Sequence, residues 1–145
     1  MELVFIPCPV IGHLVSHVEF ARRLLNQDDR FSVTVLIVDP WFSPVIQRYV
    51  GSLAAGSDAR LPFINFPQIE ADPLSITKPP EILFDFLESQ KLSLKEFIIN
   101  HVLPFHSVSA AGFVVDLFTT PLIDVANELG IPSYIFFIFS AASFG

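Results

Sequence analysis

Apolar residues along this chain alternate between two arrangements. Short continuous runs occur at Leu3–Ile6, Phe31–Val38, Leu61–Phe66, Ala110–Leu117 and Ser133–Phe139. Runs of this length, rich in branched and aromatic residues, predict strands buried on both faces, as in a parallel sheet. Between them apolar residues recur at helical spacing. Leu14, Val18, Ala21 and Leu25 mark a helix of about three turns opening at Gly12 and His13. Pro44–Val50 predicts a short helix closed by Gly51. Leu83, Phe86, Leu87, Leu94, Phe97 and Ile98 predict the longest helix, over Glu81–Val102 and closed by Pro104. Leu122, Val125, Ala126 and Leu129 mark a last helix, opened by Pro121 and stopped by Gly130. Pro62 places the third strand near an edge. Residues 67–80, with four prolines, read as a loop.

Strand and helix alternate throughout, which predicts a Rossmann-like doubly wound parallel α/β sheet in a single domain. Right-handed crossovers bring the carboxyl ends of such strands to one rim, and ligands bind there. His13, Asp116 and Ser140 each fall just after a predicted strand, so one crevice can hold all three.

Composition narrows the class. The net charge is −7 with 8 scattered Lys and Arg, which argues against a nucleic-acid partner. Hydrophobic residues make up 52% of the chain, 16 of them Phe, and the apolar Ser133–Phe139 run lies close to the last residue. The expectation is a fragment whose missing part covers apolar surface. The longest apolar run, Ile131–Phe144, is broken by Pro132, Ser133 and Ser140 and falls short of the ~20 residues of a membrane helix. With no basic start after Met1, a cytoplasmic protein without a membrane span is expected. The one cysteine, Cys8, excludes an internal disulfide and reads as a small buried hydrophobe.

His13 and Asp116 carry the candidate chemistry. A histidine at a helix start feels the positive end of the dipole, which lowers its pKa, and the neutral ring can take a proton from a hydroxyl. Asp116 stands in an apolar strand, where a carboxylate needs a partner. A histidine would satisfy it, and the carboxylate would fix the imidazole tautomer. Each also has a structural reading, His13 capping its turn and Asp116 capping the segment that follows. His13 and His17 stand four apart, a spacing that can bind metal, but no third ligand is evident. His101 and His106 read as solvated or helix-capping. Gly-x-Gly-x-x-Gly, a phosphate loop, a Gly-x-Ser-x-Gly elbow and Asp-x-Asp are all absent from the sequence.

Three stretches in order carry a resemblance. Pro7-Cys8-Pro9-Val10-Ile11-Gly12-His13-Leu14 resembles the N-terminal motif of plant UDP-dependent glycosyltransferases. Phe113–Phe118 resembles the segment with that family's second catalytic residue, and Asp124–Tyr134 is similar to the stretch after it. The likeness covers essentially the whole chain and is nearest to the branch that glucosylates phenolic and terpenoid molecules. It implies the N-terminal, acceptor-binding domain of a GT-B fold, residues 1–145, with the donor-binding domain absent from this chain. It implies sugar transfer, glucose first, from a UDP-sugar to a hydroxyl of a small lipophilic acceptor, inverting and without metal or other cofactor, by a monomeric enzyme. His13 would be the general base and Asp116 its orienting partner. Gly12, His13, Phe118 and Phe139 would line the acceptor site, and Ile138 and Ser140 the donor site. Ile138 stands where the family commonly has Thr, and His17 where it has a small polar residue. Two other classes stay open on the residues themselves: a non-catalytic α/β ligand-binding domain, and an oxidoreductase with a degenerate nucleotide loop.

Overall fold

A computed structural model describes residues 2–39, 43–55, 60–67, 80–103 and 110–136. Five strands form one parallel sheet: β1 (Glu2–Ile6), β2 (Ser32–Ile37), β3 (Phe63–Asn65), β4 (Ala110–Asp116) and β5 (Ser133–Phe136). Their spatial order is β3-β2-β1-β4-β5, so β1 is central and β3 lies at an edge, as Pro62 implies. The chain leaves β1 in one direction through β2 and β3, then returns to its other side through β4 and β5. The gap between the carboxyl ends of β1 and β4 is therefore the topological switch point. Register brings Ile6 opposite Val115, which puts Asp116 at that rim.

The sheet separates two apolar cores. On one face α1 (Ile11–Gln27) and α2 (Pro44–Ala55) bury Leu14, Val18, Ala21, Leu25, Ile46 and Val50 against Phe5, Val33 and Val35. On the other, α3 (Pro80–Ser89), α4 (Lys91–Phe97) and α5 (Leu122–Glu128) bury Leu83, Leu87, Leu94, Leu122 and Val125 against Val4, Ile6, Phe113 and Val115. The first face is less fully covered. Beside α1, over β4 and β5, an apolar groove of about 460 Å³ lies open, and Tyr134 and Ile135 are exposed there.

Three helices depart from the sequence reading. The first runs for 17 residues, Ile11–Gln27, not about three turns, extending at both ends beyond the expected stripe Leu14–Leu25. The second passes through Gly51 to Ala55. An exposed interior glycine costs only about 0.5–1 kcal/mol, which the packing of Val50 and Leu53 outweighs. The expected longest helix is broken at Gln90, where φ is −106° and ψ is 8°. Ser89 Oγ donates to the Phe86 carbonyl at 2.8 Å, which also accepts from the Gln90 N–H at 3.0 Å. The apolar stripe still resumes at Leu94 and runs on through a π-helical turn, Ile98–Val102. Gly130, at φ 69°, ends α5 as expected. No helix among the described residues is long and apolar enough to cross a membrane.

Candidate active site

Pro7 and Pro9 end β1, and the chain turns at once into α1. Val10, extended at φ −124° and ψ 135°, is the N-cap and offers no side-chain cap. His13 thus lies in the first turn of α1, above the end of β1. On the neighbouring strand Asp116 closes β4 and begins a 3₁₀ turn, Leu117–Thr119. The two meet: His13 Nδ1 lies 2.8 Å from Asp116 Oδ2. A carboxylate only accepts, so Nδ1 carries the proton and Nε2 keeps its lone pair. Nε2 makes no hydrogen bond among the described residues, and the His13 side chain is 28% exposed while that of Asp116 is 2% exposed. The arrangement is a base with an accessible lone pair, held by a buried anion.

Asp116 does more than hold His13. Its Oδ1 accepts from the Phe118 N–H at 3.1 Å, so it also caps the turn that follows it. Both readings open at the level of sequence are therefore realised by one side chain. Thr119 completes the junction. Its Oγ1 accepts from the Asp116 N–H at 2.8 Å and donates to the Ile6 carbonyl at 2.7 Å, tying β4's end to β1's end. Sequence reasoning passed over Thr119, although Asp-x-x-Thr is the spacing of a reciprocal cap.

The electrostatics reverse one expectation. The Asp116 hydrogen bond raises the pKa of His13 above the ordinary 6.5, with burial opposing and the charge of Asp116 adding. The helix dipole was expected to lower it. A dipole contributes typically 0.3–1 kcal/mol, whereas a hydrogen bond to a charged group contributes about 1.5–3 kcal/mol, so the carboxylate wins. For Asp116 itself, burial favours the neutral acid, but the hydrogen bonds from His13 and His17 and from the Phe118 N–H hold the carboxyl well below its usual range. Burial foremost, with the charges of Asp116 and Asp39, pushes the Cys8 thiol up to about 12, which fits a buried, unreactive cysteine.

The other expected site residues fall as follows. Phe118 is half-buried with its ring centroid 5.7 Å from that of His13. Gly12 lies on the rim, and a Cβ there would meet nothing within 4 Å. Ile138, Phe139 and Ser140 lie outside the described residues, as does His106. His101 is exposed with its ring against Phe97. His17 is not a solvent-facing member of a metal pair. It is fully buried, with Nε2 3.2 Å from the same Asp116 oxygen that His13 uses. Among the described residues no group of three or more His, Cys, Asp or Glu could hold a metal ion.

Known proteins share this chain's sequence and fold. UDP-glycosyltransferase 71K2 of Pyrus communis is 43% identical over 142 residues, which cover 94% of this chain and 29% of the relative. A putative UDP-glucose flavonoid 3-O-glucosyltransferase of Fragaria ananassa is 43% identical over 148 residues, covering 99% of this chain and 30% of that protein. Medicago truncatula UGT71G1, solved with UDP-glucose, superposes with a TM-score of 0.77 at 39% identity, over 94% of this chain and 29% of its own. This chain is a homologue of plant UDP-glycosyltransferases.

The homology agrees with the fold class expected from the sequence, since the parallel α/β sheet matches part of the GT-B plant enzymes. A second plant structure, a UDP-glucosyltransferase of Polygonum tinctorium that glucosylates indoxyl, has a TM-score of 0.77 at 29% identity and is covered over 30% of its length. The chain spans about 30% of the length of the curated relatives it matches. No protein-family model matches it.

Proposed function

We propose that the full-length protein transfers glucose from UDP-glucose to a hydroxyl of a small lipophilic acceptor such as a flavonoid, phenolic or terpenoid, and that residues 1–145 are its acceptor-binding domain. The observation that carries this reading is the His13–Asp116 pair, 2.8 Å apart at the switch point of the sheet, with the second imidazole nitrogen unpaired among the described residues. The relatives named above support the donor and the acceptor class.

The acceptor hydroxyl donates to His13 Nε2. As its oxygen attacks the anomeric carbon from the side opposite the phosphate, the proton passes to His13, the new C–O bond forms, and the bond to UDP breaks with inversion. Asp116 holds the ring and balances the imidazolium that results. The proton then leaves His13 to solvent. Gly12 leaves room for the acceptor beside His13, and Phe118 offers it an aromatic wall. Following the family pattern, Phe139 adds to that wall while Ile138 and Ser140 face the donor. UDP-sugar is a co-substrate, no metal or other cofactor takes part, and the enzyme is a cytoplasmic monomer.

Incubating the full-length protein with UDP-glucose and a panel of flavonols, simple phenols and terpenols tests this. The expected result is release of UDP with formation of a β-glucoside, lost in His13→Ala. Transfer that persists at the wild-type rate in His13→Ala would overturn the assignment of the base.

A further inference from the structure

His17 is one turn below His13 on α1, in the buried stripe that also contains Leu14, Val18 and Ala21. A histidine in that stripe is costly unless its polar atoms are used. One of them is: Nε2 lies 3.2 Å from Asp116 Oδ2. The other, Nδ1, is buried with no hydrogen-bond partner among the described residues. The ring is clamped edge-on by two phenylalanines, Phe5 with centroids 5.9 Å apart at 84° and Phe136 at 4.9 Å and 81°. Its orientation is thus fixed by packing from β1 and β5, independently of whatever occupies the rim.

We propose that His17 is a positioning residue that acts through Asp116: a neutral, buried Nε2–H donor that shares the Asp116 oxygen with His13, holds the carboxylate in place, and restrains the basicity it confers on His13. The inference rests on the reading of His13 as the base. Because the carboxylate only accepts, both contacts to Oδ2 are N–H donations. One oxygen then divides its charge between two imidazoles. The nearer, half-exposed one exchanges protons with substrate, and the buried one does not. A second imidazolium at 0% exposure, beside the first and between two phenyl rings, would be both desolvated and repelled, so His17 donates as the neutral ring. Among the described residues, Cys8 in the turn after β1 and Asp39 after β2 are titratable groups near the pair. The Cys8 thiol stays protonated in the neutral range, and Asp39 is engaged by the Ser43 N–H at 2.8 Å. Neither competes for Asp116 Oδ2.

The consequence has a definite sign. Taking a donor away from Asp116 leaves more of its charge for His13 and raises the pKa of His13. More of the base is then protonated at neutral pH.

The test uses the full-length protein with ¹⁵N-labelled histidine, comparing wild type with His17→Leu and His17→Gln. Leu fills the apolar clamp without a donor, and Gln presents an amide N–H at nearly the reach of Nε2. In wild type, His17 should carry its proton on Nε2. In His17→Leu the His13 titration, and with it the acid limb of kcat/KM, should move up by about 0.5–1 pH unit, as expected for loss of one hydrogen bond to the charged neighbour. His17→Gln should restore most of the wild-type position. A His13 titration unchanged in a folded His17→Leu protein, or a wild-type His17 carrying its proton on Nδ1, would overturn the proposal. The NMR shifts need no turnover. If they appear as expected while no variant or wild type transfers sugar, the coupling stands and it is the assignment of the reaction that fails.

Discussion

The carboxyl rim of β1 and β4 and the two faces of the sheet are built by different physics. On the faces, Leu83, Leu87, Leu94 and Ile98 meet Val4, Ile6 and Val115 with essentially no exposure, and any apolar side chain of similar volume would serve. At the rim, His13 and His17 bond to the Asp116 carboxylate and Thr119 bonds to the backbone of Asp116 and Ile6, at 2.7–3.2 Å, and these contacts tolerate no such exchange. The faces set stability and the rim sets chemistry. Substitutions in one should leave the other's observable nearly untouched, and each variant below tests that separation.

The largest effect belongs to the rim. Under the proposed reaction, His13→Ala removes the base, and base catalysis is typically worth about 10²–10⁴ in rate. Turnover should fall by that factor while the melting temperature changes little, since the His13 side chain is 28% exposed. Asp116→Asn should lose a comparable factor, because an amide cannot balance the imidazolium. The double variant should be little worse than either single one, since the two act as a unit. Losses that multiply, measured as kcat, would mean that the 2.8 Å contact is not a working pair.

Leu94→Ala probes the opposite region. Leu94 is fully buried in the core cluster that includes Leu122 and Val125 of α5, so its truncation should destabilise by about 2–5 kcal/mol. Denaturant unfolding of the full-length protein should show this, with kcat per folded molecule unchanged. A loss of kcat without a loss of stability would break the separation of faces from rim.

These regions also differ in how well the sequence displays them. The faces were legible because burial leaves a periodic trace. The five strands, the stripes of α1 and the long helix, and the edge place of β3 all follow from spacing and from Pro62. What failed on the faces was local. Gly51 does not stop α2, because packing outweighs propensity, and the long helix breaks at Gln90, where no proline or glycine announces it. At the rim, the sequence places His13 and Asp116, 103 positions apart, each just after a predicted strand, so one crevice can hold both; that β1 and β4 are neighbours is visible only in the fold. His17 was hidden by its own periodicity. Noted for its metal-binding spacing to His13, it occupies the apolar stripe, three residues after Leu14 and one before Val18. Thr119 was passed over because its one signal, the Asp-x-x-Thr spacing of a cap, is local and not periodic. The sign of the His13 shift was missed because the dipole is visible from sequence, whereas a carboxylate at 2.8 Å is visible only in space.

Thr119→Val stands on the boundary between the two regions. Valine keeps the volume but cannot donate to the Ile6 carbonyl or accept from the Asp116 N–H. Two buried polar groups would lose a partner, and the cost should be about 1–3 kcal/mol of stability. Because Asp116 would also lose its backbone anchor, kcat should fall severalfold with the acceptor's KM nearly kept. Of the variants described, this one should move both observables. A stability loss with kcat unchanged would make Thr119 a tie between strands and nothing more.

The smallest effect is a pH dependence of stability that the rim has and the faces lack. The pKa of His13 is raised above 6.5 in the folded protein, so its contribution is complete below the unfolded value and is lost as pH rises through the raised one. The Asp116 carboxyl is depressed below 3.8, so its contribution is present above that value and is lost as pH falls through the depressed one. Both are complete together between about 4 and 6.5, the ordinary values of the two groups. Wild type should therefore be more stable near pH 5.5 than near pH 8, by a small margin because solvent screens the half-exposed ring. Other groups titrate in the same range, so the quantity to measure is the difference between wild type and His13→Ala across the two pH values. Leu94→Ala, destabilised far more, should retain the full wild-type difference. A pH dependence equal in wild type and His13→Ala would mean that the His13–Asp116 contact adds nothing to the folded state.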